Sequence, residues 1–272
     1  MPGVVSTLRV STRNARFQQW AALLGNRAKR TQLGQFLVQG VRPVTLAVRH
    51  GWPVEALLYA DRTPLSPWAR ELLDEVAATR VAMDPELLAE LGGKEDPTVE
   101  LVAVARVPPD DLGRVTLSHG LVVVFDRPTS PGNIGTLVRS ADAFGADGLV
   151  VCGHAADVYD PQAVRASTGS LFALPVVRAP APGPVLDWAA TAGLRIVGTD
   201  EHGPVELAGC DLTGPTLLLV GNETTGLSTG WRAAAGVLAR IPIGGAASSL
   251  NAATAGSIAL YEVARQRRPS NT

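Results

Sequence analysis

Apolar positions along the chain fall into short clusters bounded by Gly, Pro, Asn or Asp, alternating with stretches where they recur every three or four residues. Runs of the first kind read as strands and stretches of the second kind as helices. Residues 1–12 read as a loose arm. From Asn14 to Arg30, the residues Phe17, Trp20, Leu23 and Leu24 recur at helical spacing with Arg and Lys on the other faces, which predicts one amphipathic helix with a basic side. Strands are expected at Phe36–Val38, Val54–Tyr59, Val81–Met83 and Leu101–Ala105, and a helix over Val41–Arg49. Ser66-Pro67 and Asp84-Pro85 each open a helix, a polar cap followed by a proline at the first turn. This alternation predicts a small α/β domain over residues 1–107, with Pro108-Pro109-Asp110-Asp111 as the linker.

A second alternating series fills residues 113–272. Strands are expected at Leu121–Phe125, Gly148–Cys152, Pro175–Val177, Arg195–Gly198, Thr216–Val220 and Ala239–Ile243. Helices are expected at Ile134–Phe144, Pro161–Thr168, Val185–Ala192 and Asn251–Arg267. The strands are rich in Val, Leu and Ile on both faces, as parallel strands covered by helices are.

Composition narrows the function classes. Aromatics are 5% of 272 residues, so Ala, Val and Leu must build most of the core. No apolar run approaches the ~20 residues of a membrane helix, and the N-terminus lacks signal-peptide character, so the expected location is the cytoplasm. Two cysteines, Cys152 and Cys210, make no disulfide framework and are expected in the core; four dispersed histidines offer no metal-ligand spacing, so no metal is expected. Charge is uneven: the first fifty residues carry eight basic groups and no Asp or Glu, whereas the other 222 carry 16 basic and 25 acidic groups. The preference for Arg over Lys is what a GC-rich coding sequence produces, but the clustering points to a polyanionic partner. Arg13, Arg16, Arg27, Lys29, Arg30 and Arg42 are the candidate contacts to nucleic-acid phosphates.

In parallel α/β sheets ligands bind beyond the carboxyl ends of strands, and three such turns here are polar and glycine-rich. The first runs from Asp126 to Arg139, with Asn133 as a candidate helix cap and Arg139 beside an anion site at the helix start. The second, Gly221-Asn222-Glu223-Thr224-Thr225-Gly226-Leu227-Ser228, places a carboxylate beside a glycine where a ligand can lie on the backbone. The third, from Ile241 to Gly256, joins a strand to a helix of very small residues. Each turn alone is equally a capped helix start or a tightly packed helix. A GxGxxG fingerprint, a P-loop and a GxSxG elbow are all missing, which disfavours dinucleotide, NTP-hydrolysing and common serine-hydrolase readings.

Together and in this order, the three turns resemble the motifs of the SpoU/TrmH family, the ribose-methylating branch of the SPOUT methyltransferases. Asn133-x-Gly135-x-x-x-Arg139 with Ala143-Phe144-Gly145 resembles the first motif, Gly221-Asn222-Glu223-x-x-Gly226-Leu227-Ser228 the second, and Ile241-Pro242 through Ser249-Leu250-Asn251 to Leu260-Tyr261-Glu262 the third. Phe36–Pro43 resembles the family's ribosomal-protein-like substrate-binding domain, with Gln39 where Glu is common. After Asn251 the chain reads Ala-Ala-Thr-Ala rather than the commoner Val-Ser-Val-Ala, a difference expected to bear on packing. Within the family the chain is most similar to the actinobacterial ribosomal-RNA members of the avilamycin-resistance type.

The resemblance implies a trefoil-knotted parallel-sheet domain behind a smaller RNA-binding domain, and S-adenosylmethionine as methyl donor. The donor would lie against Leu219, Gly221, Asn222, Ile241, Ile243 and Leu250. Its methyl group would pass in line to a ribose 2′-oxygen of RNA, most similar members acting on a uridine of 23S rRNA and some serving antibiotic resistance; transfer RNA, or RNA binding without catalysis, are the alternatives. Arg139 would be the principal catalytic residue, with Asn133, Glu223, Ser249 and Asn251 positioning it and the ribose. A guanidinium, which stays protonated at any ordinary pH, is a poor base, so its expected work is to anchor a phosphate and stabilise the developing alkoxide. The resemblance also implies a homodimer with Asn251–Arg267 at or near the interface. His202, after a strand in Thr199-Asp200-Glu201-His202-Gly203, stands where it would border the pocket.

Overall fold

A computed structural model describes residues 7–93 and 99–268. They divide into two compact units, one of residues up to Pro108 together with Tyr159–Ala173, the other of Pro109–Val158 and Leu174 onward.

The first unit contains β1 (Leu8–Val10), α1 (Ala15–Gly25), α2 (Arg27–Leu33), β2 (Gln35–Gln39), α3 (Val41–Arg49), β3 (Val54–Ala60), α4 (Pro67–Glu75), β4 (Thr79–Met83), α5 (Pro85–Gly92) and β5 (Leu101–Arg106). Its sheet has the order β1-β4-β3-β5-β2, parallel at β1–β4 and β3–β4 and antiparallel where β5 meets β3 and β2. Two expectations are corrected here. Part of the supposed loose arm is a strand: Val10 is buried, β1 pairs in register with Val81–Met83, and the Val10 carbonyl accepts from the Asp84 amide. The first six residues of that arm lie outside the described residues. The expected single helix over 14–30 is two helices, because Asn26 ends α1 through its amide and caps α2 through its side chain, which accepts from the Lys29 N–H at 3.1 Å.

The second unit continues with β6 (Leu121–Asp126), α6 (Pro131–Ala143) and β7 (Gly148–Cys152). The chain then contributes α7 (Pro161–Ala166) and α8 (Ser170–Ala173) to the first unit before returning with β8 (Val176–Ala179), α9 (Pro182–Thr191), β9 (Arg195–Thr199), β10 (Val205–Glu206), β11 (Thr216–Val220), α10 (Thr229–Ala234), β12 (Val237–Arg240) and α11 (Ala252–Arg267). The sequence pattern places Pro161–Thr168 in the second domain. Tyr159 and Phe172 instead complete an aromatic cluster in the first unit, with Phe36 4.8 Å from Tyr159 and Trp52 5.0 Å from Phe172 between ring centroids, and the Trp52 indole donates to the Phe172 carbonyl. Four of the thirteen aromatics of the chain thus meet where that excursion packs.

The seven strands of the second sheet have the order β10-β12-β9-β11-β6-β7-β8, every pair parallel, as the two-faced apolar runs predict. Both cysteines are buried, Cys152 in β7, and burial pushes both thiols up. The last strand ends at Arg240 and not at Ile243, so Ile241-Pro242-Ile243 belong to the loop beyond the sheet. Pro242 lacks the N–H that a ladder requires. Gly256 lets α11 press against α6 and the sheet: a Cβ there would stand 2.6 Å from a Leu137 methyl and 3.0 Å from one of Val220.

Candidate active site

Register fixes where the motif loops emerge. β12, β9, β11 and β6 are successive neighbours, with Val220 opposite Phe125, Leu219 opposite Gly198 and Ala239 opposite Thr199. All four strands run the same way, so the loops after Asp126, Thr199, Val220 and Arg240 leave the same edge of the sheet.

The second loop turns tightly. Asn222 and Gly226 form an antiparallel bridge, and a Cβ on Gly221 would stand 2.5 Å from the Gly226 carbonyl carbon, so only glycine fits. Gly226 itself has φ +64°. The Asn222 side chain locks the turn, accepting from the amides of Thr224 and Thr225 and donating to the Arg127 carbonyl at 2.6 Å.

Glu223 then reaches across to the first loop. One oxygen accepts from the Thr129 amide and hydroxyl, both at 3.0 Å; the other accepts from the Ser130 amide at 3.2 Å and from Asn133 Nδ2 at 2.9 Å. Burial opposes its charge, but the hydrogen bonds from Asn133 and Thr129 outweigh it and hold the carboxyl below its ordinary value. Asn133 is not the helix cap that its position suggested. Ser130 caps α6, accepting from the Asn133 amide, and leaves the Asn133 side chain free to donate to Glu223 and to accept from Asn251 Nδ2 at 3.1 Å. Asn251 caps α11 with its other face, its oxygen accepting from the Ala253 and Thr254 amides. One bonded chain, Glu223–Asn133–Asn251, therefore joins all three motifs. Beneath it the buried Asp126 accepts from the Ser228 amide at 2.6 Å and from the Arg127 guanidinium.

Beside this chain lies a cavity of about 480 Å³. Val220, Ile241, Leu250, Ala252 and Ala255 give it apolar walls, while Asp200, Glu201 and Glu223 supply carboxylates against the single guanidinium of Arg232, itself paired with Asp200. Apolar walls, open backbone edges and an excess of negative charge suit a cationic nucleoside, and the size falls within the ~300–1,000 Å³ of small-ligand pockets. S-adenosylmethionine has that chemistry. Among the described residues no group of three or more His, Cys, Asp or Glu is arranged to hold a metal ion.

Of the residues singled out in the sequence, Gly221, Asn222, Glu223, Ile241, Ile243, Ser249 and Leu250 line the cavity, as does His202. Leu219 does not: its side chain is fully buried in the sheet core, and its carbonyl accepts from the Thr199 hydroxyl. Asn133 and Asn251 do not line the cavity. Arg139 is exposed on α6, outside the cavity lining of its own chain, and has no hydrogen bond or ion pair among the described residues. Thr199, Asp200, Glu201 and Arg232 were missed. Asp200 follows a strand end in the same way as the three motifs, and that signal was present in the sequence; Arg232 carried none.

The candidate RNA contacts separate. Arg16 is exposed and has no partner among the described residues, Arg27 is exposed, Lys29 donates to Gln32, Arg13 pairs with Glu90, and Arg42 donates through Nε to the Thr168 carbonyl. Arg30 is corrected to a structural residue. It is 3% exposed, donates to the Leu23 and Leu24 carbonyls, and pairs with Asp160 at 3.2 Å.

Known proteins share this organisation. Residues 14–103 match the SpoU L30e-like domain and residues 120–261 the SpoU rRNA Methylase family. A 23S rRNA (uridine(2479)-2′-O)-methyltransferase of Streptomyces viridochromogenes is 58% identical over 97% of this chain and 94% of its own length. The crystal structure of the SpoU methyltransferase AviRb from that organism, in complex with the cofactor AdoMet, superposes with a TM-score of 0.89 at 59% identity, covering 94% of this chain and 98% of the other. An AdoMet-bound rRNA methyltransferase from Sinorhizobium meliloti gives a TM-score of 0.87 at 29% identity, covering 97% and 99% of the two chains. With its three motif loops joined at one sheet edge and these matches along nearly its whole length, the chain belongs to the SpoU rRNA methylase family.

Proposed function

We propose that this chain transfers the methyl group of S-adenosylmethionine to a ribose 2′-hydroxyl of 23S rRNA, at a uridine. The observation that carries the reading is the Glu223–Asn133–Asn251 chain beside an acidic, apolar-walled cavity, in a protein 58% identical to a 23S rRNA uridine 2′-O-methyltransferase. The donor supplies a methyl group on a sulfonium centre. Residues 1–107, completed by the excursion Tyr159–Ala173, serve as the RNA-binding domain and the remainder of residues 113–272 as the methyltransferase domain, with the trefoil threading that the family resemblance implies. Backbone around Gly221, Ile241 and Leu250 holds the nucleoside, and the ionised Glu223, satisfied by neutral donors only, keeps a negative charge at the cavity. Because those donors consume its lone pairs and lower its pKa, Glu223 positions the loops and is not the proton acceptor. Ser249 and Asn251 face the ribose. Arg139 anchors the adjacent phosphate and stabilises the alkoxide as the proton leaves.

The same reading makes the protein a homodimer of the cytoplasm. Thr254, Ile258, Tyr261 and Arg265 form one exposed stripe on α11, with Ile258 37% and Tyr261 48% exposed and the Tyr261 ring edge-on to Phe144 at 6.0 Å. Two such faces, packed together, bury that stripe, and a second copy then contributes its Arg139 to the cavity of the first. Among the described residues no helix is long and apolar enough to cross a membrane.

The test is transfer of labelled methyl from S-adenosylmethionine to 23S rRNA and to transfer RNA, followed by nucleoside mass spectrometry. 2′-O-methyluridine in 23S rRNA is the expected product. Label confined to transfer RNA would move the substrate assignment, and label in neither would refute catalysis.

A further inference from the structure

A second cavity, of about 370 Å³, lies within the first unit, away from the loops described above. Arg42, at the start of α3, and Arg165, at the end of α7, both line it, and both are exposed. Arg42 uses only Nε, toward the Thr168 carbonyl at 3.0 Å; Arg165 uses only one terminal nitrogen, toward the Gln39 side-chain oxygen at 3.2 Å. Neither meets a carboxylate among the described residues, so both positive charges and most of both hydrogen-bonding forks stay unspent.

The cavity's remaining wall suits an anion that carries an apolar group. Pro43 and Val99 give it an apolar surface, and Gly40 (φ +90°) opens α3 with no side-chain cap, leaving the first amides of the helix without an internal partner. Gly93 is constrained as well: at φ +89°, a Cβ there would stand 2.9 Å from Arg165 Nη1. Thr168, a β-branched residue, is held at φ +50°, a conformation rarely adopted without a compensating role. Its carbonyl is the group that receives Arg42.

We propose that this cavity holds one nucleotide of the RNA substrate, away from the methylated ribose, with its phosphate between Arg42 and Arg165 and its sugar and base against Pro43 and Val99. The inference rests on RNA being the substrate. It gives Arg165 a function although it lies in the sequence between two methyltransferase strands: the excursion Tyr159–Ala173 returns to the first unit to complete a phosphate clamp. RNA recognised through unstacked nucleotides is suited to a pocket of this kind.

The experiment uses the full chain and a 23S rRNA fragment that the wild type methylates. Binding is measured for wild type, R42Q, R165Q and the double variant between 50 and 300 mM salt, alongside melting curves and S-adenosylmethionine titrations. Each single variant is expected to weaken RNA binding about fivefold to tenfold and to reduce the slope of log affinity against log salt by about 0.7–0.9, the double variant by about twice that, with unchanged affinity for the donor. The KM for RNA should rise by the same factor. A latch that merely ties α7 to the first unit would lower the melting temperature and leave the salt slope alone; that result, with a wild type that methylates the fragment, overturns the pocket and spares the RNA reading. A wild type that binds and methylates no fragment of 23S rRNA overturns both.

Discussion

Replacing Glu223 by glutamine tests the central geometry with one atom changed. Both carboxylate oxygens face donors: the Thr129 amide and hydroxyl on one, the Ser130 amide and Asn133 Nδ2 on the other. Turned toward Ser130 and Asn133 the carboxamide NH2 faces two N–H donors; turned toward Thr129 it faces the amide N–H, while the hydroxyl can turn to accept, so at least one hydrogen bond is lost, one donor–donor contact is created, and the remaining bonds lose the charge that strengthened them. Hydrogen bonds to a charged group contribute about 1.5–3 kcal/mol each when well buried. Glu223 is only partly buried, so the lower end applies, and the lost bond, the donor–donor contact and the weakened remaining bonds together are worth about 2–3 kcal/mol. That loss falls on the closed arrangement of the three loops. E223Q should therefore lower kcat about 30-fold to 150-fold and the melting temperature by several degrees, while RNA affinity through the first unit is retained. The assay is single-turnover methyl transfer at saturating RNA and donor, with melting followed on the same samples. Wild-type turnover with an unchanged melting temperature would refute the claim that this carboxylate holds the loops together.

Four further outcomes are expected. R139A should abolish transfer while leaving S-adenosylmethionine affinity within a few-fold of wild type, and, on the dimer proposed above, mixing R139A with E223Q should restore part of the activity, because a mixed dimer would hold one intact composite site; calorimetry and a mixing assay check both halves. R30A should destabilise the first unit by about 3 kcal/mol, since it leaves Asp160 unpaired and two carbonyls without their donor, yet leave the salt slope of RNA binding unchanged, whereas R16Q should reduce that slope by about 0.7–0.9 without loss of stability. R267A should cost about 2–3 kcal/mol in urea denaturation, because the Arg267 guanidinium donates to the Leu212, His119 and Gly214 carbonyls and to the Thr216 hydroxyl at the far end of α11. Glu262, held by Arg265 and Gln266, has its pKa lowered, as does Glu223. Both therefore contribute stability that is complete above the ordinary glutamate value of 4.5 and is lost as pH falls below it through the depressed folded values; a stability profile flat between pH 5 and pH 3 would contradict this.

Alternating apolar runs and their caps were enough to predict most elements, because the determinants are local. Ser66-Pro67 and Asp84-Pro85 open α4 and α5, and Thr216–Val220 is a strand from end to end. The motif loops were legible for the same reason: glycine, asparagine and glutamate after a buried strand mark a turn built to be used. What the sequence could not show is which polar atoms meet. Asn133 has the composition of a helix cap, and only the position of Glu223 in the loop after a neighbouring strand makes it a bridge, while Ser130 takes over the capping. Arg30 sits in a basic cluster, and only the packing of α7 turns it inward to Asp160. Leu8–Val10 becomes a strand because β4 offers it an edge, and Tyr159–Ala173 leaves the methyltransferase sequence because Phe36 and Trp52 wait in the other unit. Propensity and periodicity are properties of neighbours along the chain, so they determine elements, whereas these hydrogen-bond partners and buried charges are set by residues 90 to 130 positions apart, and only tertiary structure brings those together.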